Sequence, residues 1–167
     1  FVTISQEAGA KRIPLTVVES DPHKGTISVI FQEVGFGTKS LGEVGLGVSL
    51  FSVLGPLGTP ATSGKYGEVI CIATGIGGAQ ILPMIRCLAQ AGNKVIGVIG
   101  AKTKKRLMLE PQIRLACNKI CIATEDGSYE RRALATDVLC ELLDQRKIKL
   151  VYTIGSVDLM EAVSKIT

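Results

Sequence analysis

Three glycines that follow an apolar run are the residues of this sequence with the clearest chemical potential. Gly75, Gly77 and Gly78 come after VICIAT at residues 69–74 and precede a helical pattern. Glycines at such a turn let the backbone approach a pyrophosphate, and the helix N-terminus offers N–H groups with a partial positive charge. A strict GxGxxG would have its third glycine where Gln80 stands, so a tight turn without a ligand is the alternative.

A second candidate group is a basic cluster after the next apolar run. Lys102, Lys104, Lys105 and Arg106 follow residues 93–100. In a dinucleotide site this point of the sheet meets the adenosine ribose, where an acid would bind the 2′-hydroxyl and bases would favour a 2′-phosphate. The residues favour NADP(H), and a solvated charged loop is the alternative.

Small and polar residues also follow the third and fourth apolar runs. Gly155 comes after LVYTI and is expected in the same crevice as the first glycines. After KICIAT, Asp126 and Gly127 predict a turn, and Ser128 and Tyr129 are candidates to reach a ligand. These groups together predict a binding crevice along one edge of a sheet.

The elements that would position these groups alternate between apolar runs and helical periodicity, which is typical of a parallel sheet with helices on both faces. Ligands of such sheets bind beyond the carboxyl ends of the strands. Strands are predicted at residues 69–74, 93–100, 119–124 and 150–155, and helices at 79–92, 136–146 and 158–166, with a further helix over 106–117 interrupted at Pro111.

The first part of the chain has the short β-branched segments and turn residues of an antiparallel β domain. Strands are predicted over residues 1–5, 12–20, 25–34 and 48–55, with a helical turn at 37–45 that Thr38 is placed to cap. The stretch PLGTPATSGKYG contains the predicted boundary. We therefore predict two domains, residues 1–65 and residues 66–167.

Composition excludes several classes of protein. Aromatic residues make up 4% of the 167 residues and Trp is absent, whereas a nucleic-acid site would need a broad basic face with aromatic platforms. No apolar run reaches the roughly 18 residues of a membrane span. The five cysteines lack the paired CxxC spacing of a metal site, so we expect free thiols, no metal and a cytoplasmic protein. His23, the one histidine, lies in a turn and offers no acid–base constellation.

The order of the short motifs resembles that of the ferredoxin–NADP reductase superfamily. More narrowly, the chain resembles the electron-transfer subunit of dihydroorotate dehydrogenase and the small subunit of sulfide dehydrogenase or NADH-dependent ferredoxin:NADP oxidoreductase. The motifs are RIPLT at 12–16, VGFGTKSL at 34–41, LGPLG at 54–58, TGIG at 74–77, GAKT at 100–103, EDGSY at 125–129, and Ile154 and Gly155 with Met160.

The resemblance implies a partial antiparallel flavin-binding β-barrel followed by a Rossmann-like domain. Arg12 would neutralise the FAD pyrophosphate. Thr16 would place its hydroxyl near flavin N5, where hydride arrives, and Pro14 and Leu15 would line the isoalloxazine. The pair Gly37 and Thr38 would hold FAD phosphate oxygens.

The resemblance also implies residues for the pyridine nucleotide. Gly75, Gly77 and Ala79 match the nucleotide loop, and Gly155 matches the glycine near the nicotinamide. We add two further candidates from the later strand ends, Lys102 and Asp126. The subunits named above mostly use NAD(H), in conflict with the basic cluster, so the choice between NAD and NADP stays open.

Two departures from the family bear on cofactor binding. Residues 1–65 supply fewer strands than a complete flavin barrel, so we expect that the first strands either lie upstream of Phe1 in a longer chain or have been lost. The family subunits carry a [2Fe–2S] centre, and this chain lacks the cysteine cluster that would bind it. The implied partners are a larger catalytic or iron–sulfur subunit and a ferredoxin-type acceptor.

The expected function is that of a flavoprotein electron-transfer subunit. Hydride would pass from NAD(P)H to FAD, and electrons would pass onward to an iron–sulfur partner. One alternative is a nucleotide-binding assembly subunit without turnover of its own. Another is a different Rossmann enzyme in which the β half is a substrate domain.

Overall fold

The computed structural model describes residues 1–61 and 64–167. The described residues form two compact units, of which the first is Phe1–Ala61 and the second lies within residues 64–167. The division lies a few residues before the predicted boundary near residue 65. Residues 62 and 63 of the predicted linker lie outside the described residues.

The first unit contains two small antiparallel sheets. Strand β1 is central in one, with β2 and β5 at its edges, and β3 and β4 form a hairpin. Its core contains Val2, Ile4, Leu15 and Leu41. The elements are β1 (Val2–Ser5), β2 (Ile13–Leu15), β3 (Val17–Asp21), β4 (Thr26–Val29), α1 (Phe36–Gly42) and β5 (Ser52–Leu54).

The strand predicted over residues 12–20 is two strands, because the chain leaves one sheet at Thr16 and joins the other. Pro14 lies in the edge strand β2, where a residue without an N–H is tolerated. The strands predicted over 25–34 and 48–55 are also shorter than expected.

The sequence predicts that Thr38 is the N-cap residue of helix α1. Thr38 does stabilise the start of this helix, but it is not the N-cap residue. The N-cap is Gly35, and Thr38 lies in the first turn. Its Oγ1 accepts hydrogen bonds from the backbone N–H groups of Val34 and Gly35, both at 3.1 Å. The prediction was wrong because the helix begins at Phe36, before the predicted start.

The second unit is a parallel sheet with the strand order β10-β6-β7-β8-β9. This confirms the predicted fold class, and the short edge strand β9 was not predicted. The elements are β6 (Glu68–Thr74), α2 (Gly77–Gln90), β7 (Lys94–Ala101), a 3-10 turn (Lys104–Arg106), α3 (Glu110–Ala116), β8 (Lys119–Thr124), β9 (Arg131–Arg132), α4 (Ala135–Gln145), β10 (Leu150–Ile154) and α5 (Val157–Ile166).

Helices cover both faces of this sheet, as predicted. Helix α2 packs on β6 and β7 and contacts α3, while α4 packs on β6, β7 and β8 and contacts α5. Alternate residues of a strand face opposite sides, so the fully apolar strands are buried on both faces. The buried cluster on the α4 and α5 side contains Ile70, Ile72, Ile96, Val98, Ala123, Ala135, Val138, Leu139, Leu142, Leu159 and Val163.

Pro111 begins a helix rather than interrupting one. It lies in the first turn of α3, where its missing N–H costs no intrahelical hydrogen bond. The chain before it forms the 3-10 turn and then passes through Leu109, whose φ of 53° ends any helical path from residue 106. Among the described helices, none is long and apolar enough to cross a membrane.

Candidate cofactor sites

A cleft of about 500 Å³ lies at the carboxyl edge of the parallel sheet. Its walls come from the ends of β6, β7 and β8 and from the first turns of α4 and α5. Candidate ligand-binding residues in its lining are Thr74, Gly75, Lys102, Arg106, Glu125, Ser156 and Asp158.

The glycine turn before α2 has two distinct structural requirements. Gly75 lines the cleft with a φ of 57°, a backbone conformation that favours glycine. Gly77 approaches the backbone at the end of β10, because a Cβ there would overlap with the carbonyl oxygen of Ile154. Gly78 has more space, since its nearest neighbour would be the Met108 carbonyl oxygen at 3.6 Å. The turn therefore brings the start of α2 against β10, beside the cleft.

Gly155 packs closely against two residues that line the cleft, Thr74 and Leu159. A Cβ at this position would lie 2.7 Å from the Thr74 Oγ1 and 2.8 Å from the Leu159 Cδ2. Thr74 lines the cleft, whereas Gly155 is not part of its lining. The absence of a side chain at residue 155 thus leaves room for the Thr74 hydroxyl at the end of β6.

The basic cluster divides into residues that face the cleft and residues that do not. Lys102 and Arg106 line it, together with the acidic Glu125. Lys104 instead lies over the Tyr129 ring, with Nζ 4.4 Å from the ring centroid. The cleft therefore offers both the cations that suit a 2′-phosphate and an acid that suits a 2′-hydroxyl.

Asp126 forms a local turn and is not part of the cleft lining. Its Oδ1 accepts hydrogen bonds from the Ser128 N–H at 3.0 Å and hydroxyl at 2.7 Å. The hydroxyl bond lowers the Asp126 carboxyl pKa below its usual value. The Ser128 Oγ also accepts from the Lys104 N–H at 2.8 Å, so this side chain joins two loops.

Tyr129 is held by an ionic network on α3. Its hydroxyl donates to the Glu110 Oε1 at 3.0 Å, which raises the pKa of Tyr129. The Arg114 guanidinium contacts the Glu110 and Glu130 carboxylates at 2.8 and 2.7 Å and lowers the pKa of Glu110. Ser128 and Tyr129, expected to reach a ligand, therefore bind other parts of the protein.

A second cleft, of about 420 Å³, lies in the first unit between β2 and the start of α1. Four residues expected at FAD line it, namely Arg12, Pro14, Gly37 and Thr38. Its lining also contains residues that sequence reasoning missed, which are Gln6, Ala10, Lys11, Ile13, Val34, Gly35, Phe36 and Ser40.

The electrostatic character of this second cleft is cationic. Lys11 and Arg12 are exposed, and none of the lining residues is acidic. No salt bridge to either side chain occurs in the described part of the chain. Such a cleft can receive a phosphate group without first breaking an ion pair.

Six predicted site residues lie outside the linings of the two clefts, namely Leu15, Thr16, Gly77, Ala79, Asp126 and Gly155. Leu15 is buried in the core of the first unit, and Thr16 is half-buried at the break between β2 and β3. Ala79 is fully buried in α2. Ser156 and Asp158 are among the lining residues that were missed in the parallel-sheet cleft. The sequence pattern that could have identified Ser156 and Asp158 is a serine N-cap followed by an acid in the first turn of a helix. In the structure the Ser156 Oγ accepts a hydrogen bond from the Leu159 N–H at 3.3 Å.

The two units define a ferredoxin–NADP reductase-like fold, with a flavin-binding-type β unit followed by a Rossmann-like unit. A solved chain of NADH-dependent reduced ferredoxin-NADP oxidoreductase matches with a TM-score of 0.91 and 29% identity, over 99% of this chain and 60% of that one. The cytochrome b5 reductase domain of Ulva prolifera nitrate reductase shares the fold at a TM-score of 0.70 and 13% identity, over 99% of this chain and 78% of that domain.

Curated relatives place the chain among homologues of one kind of subunit. It is 31% identical to a dihydroorotate dehydrogenase B (NAD(+)) electron transfer subunit homolog of Thermotoga maritima, over 96% of this chain and 57% of that protein. It is 30% identical to the electron transfer subunit of dihydroorotate dehydrogenase B of Shouchella clausii, over 92% of this chain and 59% of that protein. The chain thus spans less than two thirds of the length of these relatives. No protein-family model matches it.

Proposed function

We propose that this chain is the flavin- and nucleotide-binding part of an electron-transfer subunit, which passes hydride from NAD(P)H to FAD. The observation that carries this proposal is the similarity to dihydroorotate dehydrogenase B electron transfer subunits along 96% of the chain. When bound, FAD supplies the chemistry of accepting a hydride and releasing electrons one at a time. The protein's part is to bind and orient the two cofactors.

The cleft of the first unit fits the phosphate part of FAD. Arg12 presents a planar guanidinium that can bind a pyrophosphate through two parallel hydrogen bonds. Lys11 adds a second positive charge, and the lining has no carboxylate to repel the phosphates. Gly37 contributes backbone without a side chain, and Thr38 holds the adjoining turn in place through its hydroxyl.

For the flavin ring, we propose the segment after Arg12. Pro14 lines the cleft and offers a small apolar surface for the isoalloxazine. Thr16 would place its hydroxyl near N5, and the buried Leu15 would hold both neighbours in position through the core. Thr16 is the proposed catalytic residue because a hydroxyl there can hydrogen-bond the atom that accepts the hydride.

The cleft of the parallel sheet is the proposed NAD(P)H site. The turn at Gly75 and the N-terminus of the 14-residue helix α2 suit a pyrophosphate at the sheet edge. Gly77 and Ala79 allow this helix to pack closely, and Gly155 leaves room beside the proposed nicotinamide position. Lys102 and Arg106 support a 2′-phosphate, whereas Glu125 and the NAD(+) in the relatives' names support NAD(H).

The proposed partners follow from the relatives' names. An electron transfer subunit serves a dehydrogenase, so we propose a larger catalytic or iron–sulfur subunit and a ferredoxin-type acceptor. A [2Fe–2S] centre is proposed for the intact subunit and not for the residues present here. Among the described residues no cluster of His, Cys, Asp or Glu could hold a metal ion. The free cysteines support a cytoplasmic location.

Equilibrium binding tests the proposal. We would titrate the protein with FAD, NADH and NADPH by calorimetry and measure the stoichiometry of each. We expect one FAD and one pyridine nucleotide per chain, bound without competing with each other. Binding of a pyridine nucleotide without FAD would favour the assembly-subunit alternative. Absence of both would contradict the proposed function altogether.

A further inference from the structure

Phe36 is an aromatic side chain that is almost fully exposed to solvent. It lines the cleft of the first unit, and 91% of it is exposed. A phenyl group left in water forgoes about 1.5–3 kcal/mol of burial free energy. Val34, beside it in the lining, is also 79% exposed.

The surroundings of Phe36 favour an aromatic ligand that carries negative charge. It is the one aromatic side chain among the described lining residues of this cleft. Lys11 and Arg12 line the same cleft, and no acidic residue does. An aromatic surface beside two cations is complementary to a nucleotide, whose base stacks while its phosphates pair.

Helix α1 places Phe36 next to the strand that carries Arg12. The position of a Cβ on Gly37 would lie 3.1 Å from the Ile13 Cδ1, so the start of α1 lies against β2. Phe36 immediately precedes Gly37, and Ile13 immediately follows Arg12. A ligand whose phosphates contact Arg12 therefore has the Phe36 ring within its neighbourhood.

We infer that Phe36 is the stacking platform for the adenine ring of FAD. This inference rests on the proposed function, which assigns the isoalloxazine to Pro14 and Thr16 and the pyrophosphate to Arg12. FAD has two ring systems, and that assignment names no residue for the adenine. The isoalloxazine and the pyrophosphate are assigned to the segment from Arg12 to Thr16. Phe36 lies on α1, outside that segment, and is therefore available to the adenine ring.

The experiment compares FAD with FMN, which has the same flavin and first phosphate but no adenosine. Phe36→Ala should weaken FAD binding by about tenfold, the usual effect of losing one aromatic platform under a base, and leave the affinity for FMN unchanged. An equal loss for both ligands would place the flavin ring, not the adenine, on Phe36. Unchanged FAD affinity would also overturn the inference. Absence of FAD binding by the unaltered protein would instead overturn the proposed function, and this inference with it.

A second variant gives a direct reading of stacking. The chain has no Trp, so Phe36→Trp introduces a single indole at the cleft. ADP does not absorb where indole emits, so it quenches the emission only by contact with the ring. Quenching by ADP is the expected result, and quenching by FMN without quenching by ADP would contradict the inference. Because Phe36 is so exposed, neither variant should change the thermal unfolding midpoint.

Discussion

The carbonyl oxygen of Ile154 lies so close to Gly77 that a Cβ atom at residue 77 would overlap with it. This contact joins the first turn of α2 to the carboxyl end of β10. Strand β6 lies between β7 and β10 in the sheet, so the chain leaves β6 on one side and returns on the other. The contact therefore holds the helix start at the point where an open parallel sheet binds its ligands.

A side chain at residue 77 should disturb both stability and nucleotide binding. In Gly77→Ala the helix start must move away from Ile154, and overpacking of this kind costs about 1–3 kcal/mol. We expect a lower free energy of unfolding in urea and weaker NAD(P)H binding by calorimetry.

The matched control for this variant is the next residue. A Cβ on Gly78 would make only ordinary contacts, with the Met108 carbonyl oxygen at 3.6 Å and the Ile99 Cγ2 at 4.0 Å. Gly78→Ala should leave stability unchanged or raise it, since Ala is the better helix former. Equal losses in the two variants would show that the close approach at residue 77 has no special role.

Replacement of Arg12 tests the proposed FAD site. Arg12→Ala should weaken FAD binding by about tenfold to a hundredfold, because hydrogen bonds to a charged group contribute about 1.5–3 kcal/mol. Arg12→Lys should restore only part of the affinity, since an ammonium group cannot bind two phosphate oxygens in parallel. Fluorescence titration with FAD measures both effects.

Lys24→Ala is the control for general loss of positive charge. Lys24 lies on the β3–β4 hairpin of the same unit, paired with Asp21 at 3.4 Å and outside the Arg12 cleft. Its replacement should leave FAD affinity unchanged. A similar loss in both variants would indicate attraction by net charge and would remove Arg12 from the site.

The parallel sheet could be predicted because each of its central strands is an apolar run bounded by turn residues. The residues of β6 and β7 are almost all buried, and an apolar run of that length reads as a strand buried on both faces. Strand β9 could not be predicted, because it consists of two exposed arginines, Arg131 and Arg132. Its pairing with β8 depends on the fold and on no local pattern.

The site was predictable where a backbone requirement selects the residue type. Gly75 has a positive φ and Gly77 approaches the backbone of Ile154 closely. Both requirements select glycine, which is visible in the sequence. Asp126 and Tyr129 looked equally available to a ligand, yet both bind other residues. Whether such a side chain is free to bind a ligand depends on partners that are distant in the sequence, as Glu110 is from Tyr129. A local sequence pattern does not reveal those partners.

The two cations of the parallel-sheet cleft should affect NADPH more than NADH. Lys102 and Arg106 line the cleft, and the 2′-phosphate is the one group that NADPH has in addition. The double variant Lys102→Ala/Arg106→Ala should raise the dissociation constant for NADPH about tenfold more than that for NADH. Calorimetric titration with each nucleotide measures the ratio.

Lys105→Ala controls for the charge of the same 3-10 turn, because Lys105 is exposed and does not line the cleft. The ratio of the two dissociation constants should not change in this variant. If the double variant weakens both nucleotides equally, its cations contact the shared pyrophosphate instead of a 2′-phosphate.

Asn93 should be a main contributor to the stability of the second unit. Its Oδ1 accepts from the Tyr66 and Gly67 N–H groups at 2.6 and 3.1 Å, and its Nδ2 donates to the Gly64 and Leu88 carbonyls, both at 2.8 Å. Asn93→Ala leaves these backbone groups without partners, at a cost of about 3 kcal/mol. Urea denaturation measures the loss.

Asn118→Ala is the comparison for this prediction. Asn118 is exposed and its side chain makes one hydrogen bond, from the Val95 N–H to Oδ1 at 2.8 Å. Its loss should cost about 1 kcal/mol. Equal effects of the two variants would mean that the Asn93 network is not more stabilising than a single side-chain hydrogen bond.

The buried thiols predict a loss of stability at alkaline pH. Burial raises the pKa of the Cys71 thiol to about 12 and that of Cys117 to about 11. Below the unfolded-state pKa of about 8.5 both states hold the proton, so stability does not depend on these groups. Above it the unfolded state loses the proton first, so the free energy of unfolding falls as pH rises from there toward the folded-state values.

Cys71→Val removes the titrating group and keeps the side chain at this fully buried position apolar. Its urea midpoint should fall less steeply than that of the unaltered protein between about pH 8.5 and pH 11. Cys140→Ser, at an exposed position, should follow the unaltered protein. Parallel curves for all three proteins would show that the buried thiol does not govern the alkaline loss.

The most direct test of the central claim is the visible absorption spectrum of the FAD-loaded protein, recorded without oxygen before and after NADH or NADPH is added. We expect the flavin band to bleach with at least one nucleotide, as hydride transfer between the two proposed cofactor sites requires. A flavin band that persists with both nucleotides, although calorimetry shows that each binds, would contradict hydride transfer by this protein.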